Sequence, residues 1–91
     1  MSDAGRFLVR CKVAKGFFDE ELLVMVAQSS AYVSRDNVRL AADLGSEISD
    51  GLVAAYLIQR TEDKALIELP GQPVVGGARA WVPAGDVTAA A

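Results

Sequence analysis

The sequence predicts an all-β protein: one small barrel or two-sheet sandwich of six to eight short strands, built from two similar halves, with one or two single-turn helices. Three observations predict it. Apolar and charged side chains alternate at period two across residues 7–13, the spacing of a half-buried strand. The other apolar runs are of strand length and are separated by polar or Gly/Pro-containing turns, too short for helices of ordinary size. Residues 7–41 also resemble residues 51–90.

The elements follow in order. Phe7, Val9, Cys11 and Val13 fall on one face of the first strand, with Arg10 and Lys12 on the other, and Gly16 supplies the turn after it. Phe17-Phe18-Asp19-Glu20-Glu21 is an acidic connection led by two aromatics, and Leu22-Leu23-Val24-Met25-Val26 is the second strand. Gln28-Ser29-Ser30 turns into the short segment Ala31-Tyr32-Val33. Ser34 then caps a single helical turn through Asn37 before Val38-Arg39-Leu40 resumes as strand. Residues 41–50, with Gly45, Ser46, Ser49 and several acids, read as the linker between halves, and a short helix over residues 37–44 is the competing reading there. The second half opens with the apolar run 52–58. A polar turn follows at residues 60–64, then a return strand at 65–69 stopped by Pro70-Gly71. Residues 70–77 read as a Pro/Gly-rich loop, residues 78–82 as a strand, and Pro83-Ala84-Gly85-Asp86 as a tight turn.

The internal likeness is the most informative feature. Residues 8–26 lie over residues 52–70 without a gap at an offset of 44, with Leu8/Leu52, Val9/Val53, Asp19/Asp63 and Leu22/Leu66 identical. Past the next turn the offset becomes 49, and residues 31–38 lie over residues 80–87, Tyr32 matching Trp81 and Val38 matching Val87. The five additional residues fall in the loop 70–77. Two or three strands leave one face open to water, so halves of about forty residues must share a core, in a single domain spanning residues 1–91.

Composition narrows the function classes. Fifteen of the apolar residues are alanines, which leaves large side chains for one core and a modest exposed patch. The net charge of −3 is uneven: Arg6, Arg10, Lys12 and Lys15 against Asp3 make residues 1–18 net +3, while five basic and eleven acidic residues make residues 19–91 net −6. An acidic bulk argues against nucleic acid as the partner. The sequence has no histidine, so the commonest general base and metal ligand is missing. Its single cysteine, Cys11, forms no internal disulfide and sits in an apolar run as a buried thiol. The glycines of residues 71–77 lack the lysine and following helix of a phosphate-binding loop. The N-terminus lacks the layout of a signal peptide and no apolar stretch is long enough to span a membrane, which predicts a cytoplasmic protein. These readings imply no catalytic residues, no metal and no cofactor.

The run Ala78-Arg79-Ala80-Trp81-Val82-Pro83-Ala84-Gly85-Asp86-Val87 resembles the end of an SH3-like barrel, where a strand enters a Pro-started single turn and a final short strand. The peptide-binding SH3 family also carries an N-terminal Tyr-rich motif and a tryptophan pair. This chain has neither, so the resemblance implies the barrel and not recognition of proline-rich peptides. Residues 15–22 and the Trp-Val-Pro ending are also similar to small uncharacterised bacterial proteins, a likeness that implies no function.

The remaining candidates are aromatic. Phe17 and Phe18 occupy a turn, where large apolar side chains are less expected than in a strand, and one is expected to pack inward with the other partly exposed. Tyr32 and Trp81 hold matching positions and combine apolar area with a polar handle. The alternative for them is a symmetric pair across the shared core. Arg79 lies two positions from Trp81, within reach of stacking on its ring. Phe17, Phe18, Tyr32, Arg79 and Trp81 are therefore the candidate binding residues of a non-enzymatic interaction module that holds a protein, another copy of itself included. The competing function is an acidic inhibitor or regulator that occupies a basic site on its target. The acidic turns at Asp19-Glu20-Glu21 and Glu62-Asp63 read as solvated charges that keep strand edges apart rather than as a cation site.

Overall fold

A computed structural model describes residues 6–40 and 48–89. Two long antiparallel strands form its centre, β1 (Arg6–Lys15) and β5 (Ser49–Arg60), paired from Arg6↔Tyr56 to Val13↔Ser49. The alternation in β1 sends Val9, Cys11 and Val13 into the core and Arg10 and Lys12 to solvent. Because β5 takes one edge of β1, two strands share the other: β2 (Glu21–Val26) pairs with residues 12–15 and β9 (Val87–Ala89) with residues 7–9. The free edge of β5 is shared likewise by β4 (Val38–Leu40) and β6 (Lys64–Glu68). Beyond β2 come β3 (Ser29–Ser34) and then β7 (Gln72–Val75), and beyond β6 comes β8 (Arg79–Pro83). A strand whose edge serves two neighbours must bend between them, and the nine described strands curl into an antiparallel half-barrel. The fold is all-β, with single 3-10 turns at Arg35–Asn37 and Ala84–Asp86 in place of longer helices.

The core lines the inner face of this curl. Leu22, Ile67, Val9, Val13, Val24, Val33 and Val53 are fully buried, and each such side chain contributes about 1.5–3 kcal/mol by leaving water. These residues come from both halves, and each half lends a strand to the other. Val38 of β4 pairs with Val53, while Val87 of β9 pairs with Val9. The β1/β5 register maps onto itself when 44 is added to one member and subtracted from the other: Arg10↔Leu52 becomes Leu8↔Ala54, also a pair, and Val9↔Val53 stands at the centre.

The gap-free match at offset 44 fails beyond that centre. A register shift between Leu57 and Gln59 leaves Ile58 as an additional residue in β5, and a bulge of one residue turns the following strand's alternation over. Ala65, Ile67 and Leu69 therefore face inward, where the match at 44 points to Leu66, and Leu66 is only half-buried. In burial Ala65 matches Leu22, while in pairing Gln59↔Leu66 still matches Lys15↔Leu22. Two turn bonds follow the burial frame: the Arg35 N–H donates to the Glu20 carbonyl at 2.8 Å, and the Ala84 N–H to the Asp63 carbonyl at 2.9 Å.

Two other expectations change. The loop expected over residues 70–77 holds β7, which pairs antiparallel with β3, so the strand count rises to nine. Its β-branched Val74-Val75 suits an edge strand, and Pro73 is tolerated there. Of the linker expected over residues 41–50, Ser49 and Asp50 already belong to β5, and residues 41–47 lie outside the described residues. The competing helix over residues 37–44 gives way to strand at Val38–Leu40.

Candidate functional site

The two phenylalanines stand on a turn that the chain holds firmly. After Gly16, the Glu21 N–H donates to the Phe18 carbonyl at 3.1 Å, and Arg35 grips the turn from β3's end, its Nε donating to the Asp19 carbonyl at 2.8 Å. Neither phenylalanine packs inward: Phe17 is 81% exposed and Phe18 71% exposed. The Phe17 ring leans on Tyr32, with ring centroids 5.5 Å apart and planes inclined by 39°. Asp19 and Glu20 are solvated beside them, as their turn position implies.

Tyr32 and Trp81 do not meet across the core. In β3 the buried positions are Ser29, Ala31 and Val33, and in β8 they are Ala80 and Val82. Alternation therefore puts Tyr32 and Trp81 on the outer face of the sheet. Tyr32 is half-buried beneath Phe17, while Trp81 is 45% exposed. Arg79 is not stacked on Trp81. Its Nε donates to Glu68 Oε1 at 2.9 Å, an ion pair between cross-strand partners of β6 and β8.

The structure thus divides the five candidates into two groups. Phe17, Phe18 and Tyr32 cluster at one end of β3. Arg79 and Trp81 line a groove of about 750 Å3, walled on its other sides by the Ala27–Ser29 turn and by Val75 and Gly76. Ser29 ties this region together: it is buried, and its hydroxyl lies 3.2 Å from the carbonyls of both Gly76 and Arg79. Val75, 60% exposed, belongs to this surface and escaped the sequence reading because its segment resembled a loop. The pair of β-branched residues between Pro73 and Gly76 was the available signal.

A smaller cleft of about 400 Å3 lies over Cys11, Asp50 and Leu52. Arg10 and Arg39 flank Leu52 there from the two neighbouring strands. Lys12 and Asp50, cross-strand partners, form an ion pair at its margin, and this bond, with Lys12's charge, lowers the carboxyl's pKa. The Cys11 thiol is pushed up to about 12, first by burial and then by the negative charge of Asp50. It therefore stays protonated at neutral pH and supplies no thiolate. Among the described residues, no group of three or more Cys, Asp or Glu side chains is placed to hold a metal ion, and no helix is long and apolar enough to cross a membrane.

No family model, curated protein or solved structure matches this chain.

Proposed function

We propose that this chain is a non-enzymatic protein-interaction module that engages its partner through outward-facing aromatic side chains. The observation that carries this reading is the Phe17-Phe18 turn. Two adjacent phenylalanines, more than two-thirds exposed, present on the order of 300 Å2 of aromatic surface. Side chains of this size would normally fold inward, because each loses about 1.5–3 kcal/mol of burial by staying in water. Here the hydrogen bonds from Arg35 and Glu21 hold them out. Rigid aromatics lose little conformational entropy on binding, which suits them as anchors.

The test is quantitative capture from a lysate by the wild-type chain, Phe17→Ala and Trp81→Ala, with folding checked by circular dichroism. An association weakened about tenfold or more by either substitution supports the reading. If every association survives both substitutions in folded protein, the aromatic surface is not the binding surface. Capture that ignores them but collapses with added salt would instead favour the acidic inhibitor.

A further inference from the structure

The outermost strands of the two halves, β3 and β8, are built alike and finished differently. Each runs into a 3-10 turn from a residue of nearly identical conformation, Ser34 at φ −57°, ψ 136° and Pro83 at φ −58°, ψ 138°. Each turn closes on the same bond, from the Val38 N–H to the Arg35 carbonyl and from the Val87 N–H to the Ala84 carbonyl. Tyr32 in β3 and Trp81 in β8 are counterparts in this frame.

In an antiparallel strand, successive residues direct their backbone N–H and C=O to opposite edges. The Ala78 carbonyl accepts from the Leu69 N–H and the Ala84 N–H donates to Asp63, so Ala78, Ala80, Val82 and Ala84 face β6. Arg79, Trp81 and Pro83 then face the other edge, and the contact of Ser29 Oγ with the Arg79 carbonyl comes from that side. By the same rule Ser30, Tyr32 and Ser34 turn away from β2, and β7 lies against them, with Tyr32↔Gln72 and Ser30↔Val75 as partners. At β8 no described strand takes the equivalent place. Among the described residues, the edge at Trp81 opens onto the groove of about 750 Å3.

We propose that the open edge of β8 binds a short, uncharged, extended segment of a partner protein, antiparallel to β8, in the place that β7 occupies on β3. This rests on the reading of the chain as an interaction module and names where and how it binds. The fold itself shows what such an edge accepts: Gln-Pro-Val-Val, four residues without charge. The groove favours the same chemistry, since its charged wall residue, Arg79, is already neutralised by Glu68. The edge also limits length. Pro83 has no N–H to give and the Arg79 carbonyl is engaged by Ser29, so Trp81 supplies the main pair of backbone bonds. Strand addition of this kind draws affinity from the backbone and selectivity from neighbouring side chains, here Trp81 and Val75.

Trp81 is the single tryptophan, so its fluorescence reports the site directly. The probe is a synthetic peptide of residues 69–77, titrated into the full-length chain. The expected result is a saturable blue shift of Trp81 emission with a matching shift of its backbone amide resonance, while the Tyr32 amide stays unmoved. A peptide N-methylated at its glutamine, the position opposite Tyr32 in β7, binds about tenfold more weakly. Three results overturn the inference: no shift at millimolar peptide, a shift at Tyr32 instead, or a shift that follows protein concentration without peptide, which marks a second copy as the occupant. If the peptide fails while Phe17→Ala still abolishes a captured association, the interaction-module reading stands and the β8 inference alone falls.

Discussion

Replacing Gly71 with alanine separates the two ways in which β7 is held on β3. Gly71 has φ +90°, and a Cβ added there would lie 2.1 Å from the Tyr32 carbonyl oxygen, inside any tolerable contact. The obstacle is backbone, so no side-chain rotation relieves it. The chain has two responses. It can keep β7 docked, at about 1–2 kcal/mol for a positive φ plus the cost of shifting the strand. Or β7 can lift away, giving up hydrogen bonds worth about 1 kcal/mol each at the Tyr32↔Gln72 and Ser30↔Val75 pairs. The cheaper route limits the loss to about 2–3 kcal/mol, which for a chain of this size lowers the unfolding midpoint on the order of 10–20 °C.

Two other glycines calibrate that number. Gly77 has φ +78° but open space where its Cβ would stand, so Gly77→Ala isolates the backbone term, about 1–2 kcal/mol. Gly85 has neither a positive φ nor a neighbour within 4 Å, and Gly85→Ala is expected to be neutral or slightly stabilising through the unfolded chain. Thermal unfolding followed by circular dichroism measures all three, and exchange of the Tyr32 amide tells whether β7 has lifted. Equal losses for Gly71→Ala and Gly77→Ala would refute the close approach of β7 to Tyr32.

Two further outcomes follow from burial. Leu22→Ala removes a fully buried side chain and is expected to cost about 2–5 kcal/mol in chemical denaturation, whereas Leu66→Ala, on the outer face, costs about 1 kcal/mol or less. Equal costs would restore the uninterrupted match at offset 44. Cys11 is expected to resist thiol reagents in the folded chain at pH 8 and to react fully in denaturant. Because its folded pKa of about 12 exceeds that of the unfolded thiol, the unfolded chain releases the proton first, and this group's contribution to stability is present at neutral pH and declines from about pH 9 upward. Denaturation midpoints of the wild-type chain and Cys11→Ala, compared between pH 7 and 11, check the sign: the wild type loses more.

Much of this architecture was legible because it is local. Alternation across residues 7–13 gave β1 and its buried face, and Pro83 before a short turn gave the junction of β8 with its 3-10 turn. Val9 and Val53, matched in the sequence only as like positions, pair with each other at the centre of the β1/β5 register. The bulge at Ile58 was not legible, since an additional residue in a strand is defined by the partner it fails to meet, and that partner is fixed only when β5 and β6 pair. β7 was hidden for a related reason: its Pro and Gly neighbours carry turn propensity, and only the edge of β3 makes a strand of Val74 and Val75. The outward placement of Tyr32 was available in principle, because Ala31 and Val33 on either side are the smaller, core-suited residues. Identity of the aromatic pair obscured that parity. The turn that carries the exposed Phe17 and Phe18 is tied down by Arg35, sixteen residues from Asp19, a contact that local sequence does not announce.

Backbone amide exchange of the native chain compares the two matching edges without any ligand or substitution. With β7 bonded to β3 and no described strand on the edge of β8 opposite β6, the Tyr32 amide should be strongly protected and the Trp81 amide should exchange close to the rate of an unstructured peptide. Equal protection of Tyr32 and Trp81 in the monomer would contradict an open, accepting edge at β8.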